Sequence, residues 1–140
     1  MTLNVIRLLH VEDDRIQQAW IARQLATMHD YRFETARAAS EDEAIRLFIA
    51  GSFELVILDF NLTQGNGVNC LSRIRQYDSL VPIIAVSGTA TNEIAALLIT
   101  AGADDYLAKQ ALDSRILSQS VRNVLTRAQA FQSRFAALRN

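Results

Sequence analysis

Three acidic residues in a row, Glu12, Asp13 and Asp14, close a short apolar run. Asp59 closes another, with Asn61 two residues later. Ser87, Gly88 and Thr89 close a third, and Lys109 a fourth. Carboxylates gathered in one place repel one another and call for a cation. Hard oxygen ligands suit Mg²⁺, which keeps several waters and needs only one or two carboxylates. A bound Mg²⁺ would also screen Asp59 so that an anionic phosphoryl donor could approach, while Ser87 and Lys109 hold the transferred oxygens. Phosphoryl transfer asks for that positioning and charge neutralisation and for little else.

For these groups to meet, their elements must share one edge. The apolar runs Val5 to Val11, Tyr31 to Ala36, Leu55 to Leu58, Ile83 to Val86 and Tyr106 to Ala108 read as buried strands. Between them lie stretches with helical spacing. The first runs from about Arg15 to Met28, with Ile21, Ala22, Leu25 and Met28 on one face. The second follows Ser40 and has Glu43 three residues on, as in a capping box. Its apolar face is Ala44, Leu47 and Phe48, and Gly51 ends it. The third follows Gly67 with Val68, Leu71 and Ile74; the fourth spans about Asn92 to Ala101 and stops at Gly102; the fifth begins after Asp113. Strand and helix alternating five times predict a parallel sheet with helices on both faces. Right-handed crossovers make it a flavodoxin-like, doubly wound five-stranded α/β sandwich, which binds ligands at the carboxyl ends of its strands. Pro82, the sole proline, precedes the fourth strand, where a missing donor does little harm.

Composition narrows the function classes. The 140 residues suit one domain and are 50% hydrophobic, enough for a real core. A net charge of -1 argues against disorder and against non-specific nucleic-acid binding. Cys70, the only cysteine, excludes an internal disulfide and reads as a helix residue in a reducing compartment. The start lacks the pattern of a signal peptide, and no apolar run reaches the ~18 residues of a membrane span. A cytoplasmic protein is expected.

Taken singly, each site residue has a duller reading. Glu12 to Asp14 suit a helix start, Asp59 a turn, Lys109 the surface and Ser87 a loop. Tyr106 and Trp20 suit packing. His10 reads as a strand residue near the site edge, and it forms no cluster with His29. Gly65 and Gly67 read as turn glycines rather than a nucleotide loop. The joint arrangement decides, because four strand ends each carry a group that the chemistry wants.

The segments LLHVEDDR, VILDFNLTQGNG, IIAVSGTA and AGADDYLAK resemble the receiver domains of two-component response regulators, from about Asn4 to Arg127. The resemblance implies that Asp59 is the phosphoacceptor. It makes Glu12 and Asp13 the acidic pair, with Asp13 the more direct metal ligand, and has Asn61 give its backbone carbonyl to Mg²⁺. Ser87 is then the switch hydroxyl, Tyr106 the switch aromatic and Lys109 the phosphate-binding lysine. The implied donor is a histidine kinase or histidine phosphotransfer protein. Phosphorylation should draw Ser87 toward the phosphate, let Tyr106 turn inward, and be read on the surface of the fourth helix, fifth strand and fifth helix; on the fourth helix Ile94, Leu97, Leu98 and Ala101 share one face and Ile99 lies on another. Two positions depart from the common pattern. Thr63 and Gln110 stand where receivers usually have proline. A cis bond before a non-proline residue costs ~2.5–4 kcal/mol, which favours a trans Lys109–Gln110 peptide and would move the Lys109 loop. Two rivals are weighed. An aspartyl-nucleophile phosphatase would place an acid at position 61, where Asn61 stands. A pseudo-receiver, a non-phosphorylated interaction module, usually lacks the acceptor or the acidic pair, and both are here.

The last helix reads as continuous from Asp113 to about Arg139, ~40 Å long. Leu117, Val121, Val124, Ala128, Phe131, Phe135 and Leu138 follow a heptad seam. Leu117 to Val124 are expected to pack on the domain's own sheet. Phe131, Phe135 and Leu138 lie beyond it and call for a partner, which makes a weak homodimer the expectation. Residues 1–127 are thus read as the receiver and 128–140 as a helical extension.

Overall fold

The computed structural model describes residues 4–89 and 91–139. Its strands are β1 (Asn4–Val11), β2 (Tyr31–Ala38), β3 (Leu55–Asp59), β4 (Ile83–Ser87) and β5 (Asp105–Ala108). Its helices are α1 (Arg15–Ala26), α2 (Glu41–Ala50), α3 (Gly67–Tyr77), α4 (Asn92–Ala101) and α5 (Ser114–Arg139), with a 3₁₀ turn at Lys109–Ala111. All strand pairings are parallel, in the order β2-β1-β3-β4-β5. The alternation read from the sequence is therefore the flavodoxin-like fold expected.

Successive strand residues feed opposite faces of the sheet. Leu9, Val11, Val56, Leu58, Ile83 and Ala85 pack with Ala44, Phe48, Leu71, Ile74 and Leu98 on the side of α2, α3 and α4. Leu8, Ile57, Ile84 and Val86 pack with Ile21, Leu25, Leu117 and Val121 under α1 and α5. Because both faces are covered, β3 and β4 are buried at every residue. The strand order turns back between β1 and β3, so the crevice where such sheets bind ligands opens at the ends carrying Glu12 and Asp59.

Side-chain caps fix where the helices begin. Asp14 accepts from the Ile16 and Gln17 N–H groups, which takes it out of the acidic group and makes it the N-cap of α1. Ser40 caps α2 through the Glu43 N–H, and Glu43 reaches back to the Ala39 N–H. Asn66 caps α3 through Val68 and Asn69. Gly67, next in the chain, lets this turn press against β3. A Cβ there would lie 2.5 Å from the Phe60 Cα and 2.8 Å from the Asp59 carbonyl oxygen.

Several boundaries differ from the sequence reading. α1 stops at Ala26 because the Thr27 N–H and hydroxyl both turn back to the Gln24 carbonyl. Met28 lies beyond the helix yet remains buried, while Ala22 is only half-buried. β2 continues past Ala36 to Ala38, pairing with His10 and Val11 of the longer β1. On α2, Ile45 is buried with Ala44 and Phe48, whereas Leu47 is half-buried. On α4 only Leu98 is fully buried; Ile94 and Ala101 are half-buried, and Leu97 faces solvent as Ile99 does. The four-residue face expected there is thus split, because one short helix on a sheet edge can point only a narrow stripe inward.

One polar side chain closes the end of the sheet away from the site. The Arg75 guanidinium of α3 donates to the Gly102, Asp78 and Val81 carbonyls and to the Asp104 carboxylate. It joins the end of α3 to the turn into β5. Replacing it by alanine (Arg75→Ala) leaves these acceptors unpaired and should lower stability by roughly 2–4 kcal/mol, measured by urea unfolding; an unchanged midpoint would show that water satisfies them equally well.

Candidate functional site

β1 and β3 end side by side, and their last residues meet. One carboxylate oxygen from each of Glu12, Asp13 and Asp59 lies within 4.8 Å of the others. Glu12 and Asp59 are both 3% exposed, so neither can be neutralised by bulk water. The Asp59 carboxylate is held at both oxygens. Its Oδ1 accepts from the Asn61 N–H at 3.0 Å, and its Oδ2 lies 3.3 Å from the Lys109 Nζ. The same ammonium lies 3.1 Å from the Glu12 Oε1. Lys109 enters from the end of β5, and thus bridges the two buried acids.

The electrostatics follow from this burial. Desolvation, then the hydrogen bond and charge of Asp59, push the Glu12 carboxyl up to about 8. The surroundings of Glu12 thus favour its protonated form, and a cation between it and Asp59 would favour the ionised one. Burial works against charge on Lys109, but Asp59 and Glu12 outweigh it and hold the ammonium above its ordinary range. Asp13 behaves in the opposite way to Glu12. The Thr63 hydroxyl and N–H both donate to its Oδ2, and the hydroxyl bond above all holds it below the usual carboxylate range. His10 sits 4% exposed among these groups, where burial and Arg37 push its imidazole down to about 4. It is a neutral neighbour rather than one of the clustered acids.

A second layer links β3 to the loop after β4. The Asn61 side chain accepts from the Gly88 N–H and the Ser87 hydroxyl and donates to the Thr89 hydroxyl. Ser87 also donates to the Thr89 carbonyl and accepts from the Thr89 N–H. The Tyr106 hydroxyl reaches that same carbonyl at 3.4 Å, from a half-buried ring packed on the core. Gln110 donates to the Gly88 carbonyl. No cis peptide occurs among the described residues, so Lys109–Gln110 is trans, and Lys109 still reaches Asp59.

The structure thus brings Glu12, Asp13, Asp59, Asn61, Ser87 and Lys109 to one crevice, with Tyr106 at its rim. The donor set, three clustered carboxylate oxygens, suits a hard divalent cation. Thr63, Thr89 and Gln110 join the site only through the tertiary structure. Their side chains act on groups 50, 28 and 22 residues away, a proximity that spacing does not encode; the only signal was that Thr63 and Gln110 broke a familiar pattern.

Comparison with known proteins decides the family. The response regulator receiver domain model matches residues 8–122. The chain belongs to the response regulator receiver domain family. It is 35% identical over 108 residues to the transcriptional regulatory protein BasR of Escherichia coli, covering 74% of this chain and 46% of that one. It is 32% identical over 103 residues to the transcriptional regulatory protein PrrA of Mycobacterium tuberculosis, covering 74% and 43%. The receiver thus spans under half the length of these relatives. Among solved structures, a CheY-like receiver domain protein from Methanospirillum hungatei superposes with a TM-score of 0.79 at 25% identity, over 92% of this chain and 98% of that one. NtrX from Brucella abortus gives 0.86 at 22% identity over 95% of this chain and 29% of that one, a likeness of fold.

The shifted groups set a pH dependence for the metal-free receiver. A carboxyl raised on folding adds stability that is complete below its unfolded value of 4.5 and is lost as pH climbs through about 8. The lowered His10 adds stability that is complete above 6.5 and is lost as pH falls toward 4. Between pH 6.5 and 8 the Glu12 effect stands alone. Without divalent cations, stability should fall by about 1–2 kcal/mol across that window, and Glu12→Gln should flatten the slope. A wild-type urea midpoint constant from pH 6.5 to 8 would refute the protonated Glu12.

Proposed function

We propose that this receiver takes a phosphoryl group onto Asp59 from a histidine kinase or histidine phosphotransfer protein, with Mg²⁺ held by Asp13, Asp59 and the Asn61 carbonyl and with Glu12 acting through water. The observation that carries the reading is the buried Asp59 carboxylate set between an acidic pair and Lys109, in a chain of the receiver family. A bound Mg²⁺ would supply charge neutralisation for the carboxylates and the incoming phosphoryl group.

The chain's own residues do the rest. The Asn61 N–H on Oδ1 fixes the rotation of the Asp59 carboxylate. An Asp59 oxygen forms the new bond to phosphorus, and the donor's phosphorus–nitrogen bond breaks with its electron pair going to the histidine nitrogen. Lys109 can shift from Asp59 and Glu12 onto a phosphoryl oxygen, exchanging one anionic partner for another. The Ser87 hydroxyl, now on Asn61 and the Thr89 carbonyl, can donate to a second oxygen. Doing so would loosen the Thr89 carbonyl that Tyr106 holds, and so pass the event to Tyr106 and α4. Leu97 and Ile99 on α4 give that surface its exposed apolar area. The domain is a switch rather than a turnover enzyme, and a cytoplasmic setting fits both its single buried free thiol and the lack, among the described residues, of a helix able to cross a membrane.

Acetyl phosphate with Mg²⁺ should label the chain stoichiometrically, with the label on Asp59. Asp59→Asn should abolish it, and Asp13→Asn should weaken Mg²⁺ binding and labelling together. Mass spectrometry that finds the phosphoryl group elsewhere, with Asp59 unmodified, would sink the assignment; steady turnover of phosphate esters would favour the phosphatase.

The extension of α5 supports a second, separate reading, self-association. Leu117, Val121 and Val124 are buried against the domain, whereas Phe131 is 49% exposed, Phe135 52% and Leu138 86%. The two phenylalanine rings stack at 6.3 Å along one helix face. Burying such side chains gains roughly 1.5–3 kcal/mol each, against an association cost of at least ~4 kcal/mol, so the dimer should be weak. Sedimentation should show it at high concentration in the full chain and not in Phe131→Ser/Phe135→Ser. Two monomers would leave the extension as a spacer.

A further inference from the structure

We infer that Thr63 is a positioning residue for the cation site: its hydroxyl and N–H together clamp Asp13 so that one carboxylate oxygen is taken and the other is presented to the metal. The inference rests on the proposed role of Asp13 as a Mg²⁺ ligand.

The geometry is specific. Asp13 lies in the loop after β1, beyond the buried Glu12, and its side chain is only partly covered. Left alone, such a carboxylate samples several rotamers, and ordering it on binding would cost affinity. Thr63 lies in the loop after β3, 50 residues away, and both of its donors converge on the same atom, Asp13 Oδ2; the N–H lies at 3.2 Å and the hydroxyl is closer. Two donors on one oxygen hold the carboxylate in one orientation, with an Asp13 oxygen within 4.8 Å of oxygens of Glu12 and Asp59; Glu12 and the Asp13 backbone lie against the same carboxylate. Outer partners of this kind orient metal ligands, and removing them typically weakens binding by 10–100-fold.

The clamp also ties the two loops of the site to each other. Asp59, Asn61 and Thr63 follow at every second position, so the loop that offers the Asn61 carbonyl is pinned at Asn61 to Asp59 and at Thr63 to Asp13. The Thr63 hydroxyl bonds to Asp13. Thr63 is exposed and outside the core, so substitutions there leave the packing of the sheet intact. The residue type matters for a simple reason. Valine keeps the shape and the N–H but loses the hydroxyl, serine keeps both donors, and proline has neither.

The experiment titrates Mg²⁺ into the full chain while following the Asn61 and Thr63 amide resonances, with no phosphoryl donor present. The dissociation constant for Mg²⁺ should rise about tenfold in Thr63→Val and return to the wild-type value in Thr63→Ser. Asp13→Asn serves as the reference for loss of the ligand itself, and circular dichroism confirms that each variant is folded. If Thr63→Val binds Mg²⁺ as tightly as wild type while Asp13→Asn loses it, the clamp is overturned and the metal site stands. Tighter binding in Thr63→Val also overturns it, since the hydroxyl would then compete with the cation. If Asp13→Asn binds unchanged, the metal reading itself has failed.

Discussion

Two carboxylates buried side by side need a positive charge, and the fold is arranged to bring one. Glu12 and Asp59 stand at adjacent strand ends with almost no access to water. Isolated, their repulsion in a poorly polarisable setting would cost several kcal/mol. Lys109, 97 residues from Glu12, answers both of them. It arrives from the far side of the sheet, so β4 and β5 must be in place before the charge is balanced. Even then burial, and after it the neighbouring Asp59, raise the Glu12 carboxyl and favour its protonated form. The clustered carboxylates therefore remain compatible with a divalent cation.

The same constraint explains why the loops around the crevice are so densely tied. Two loops, those after β3 and β5, supply polar side chains that hold their neighbours. Thr63 holds Asp13, Asn61 holds Gly88 and Thr89, and Gln110 holds Gly88 from the other side. Hydrogen bonds of this kind are modest in net energy and can be exchanged one at a time. The Ser87 and Tyr106 hydroxyls meet at the Thr89 carbonyl. The rigid part is the doubly covered sheet, and the adaptable part is the set of loops at its carboxyl edge.

Away from the site, α5 serves two ends. Its first half closes the core under β4 and β5 through Leu117, Val121 and Val124, and Ser120 reaches back to Asp105. Arg122 ties it to Asp30, next to the edge strand. Beyond Ala128 the apolar seam continues onto an exposed face, with Phe131 and Gln132 still bordering a cavity shared with Ser79, Leu80 and Pro82. One helix thereby joins the part of the sheet that holds Lys109 to a surface available for contact.

The sequence by itself determined the class of fold and the inventory of the site. Apolar runs of strand length alternating with 3.6-residue periodicity allow little besides a doubly wound sheet, and the carboxyl ends of its strands are then the only place for Glu12, Asp13, Asp59, Ser87 and Lys109 to meet. Ser40 and Gly51, as local signals, marked the ends of α2 correctly. What only the tertiary structure decided is how those residues use one another. That Asp14 caps a helix while Asp13 joins the site depends on backbone direction after β1, which three identical-looking acids do not reveal. That Leu97 faces water and Leu98 the core depends on the angle at which α4 meets the sheet. That Thr63 and Gln110 do their work through side-chain donors depends on loops from distant strands lying side by side. Local pattern fixes which face of an element is apolar, but contacts between loops are set by the packing of whole elements, and that packing is a property of the assembled core.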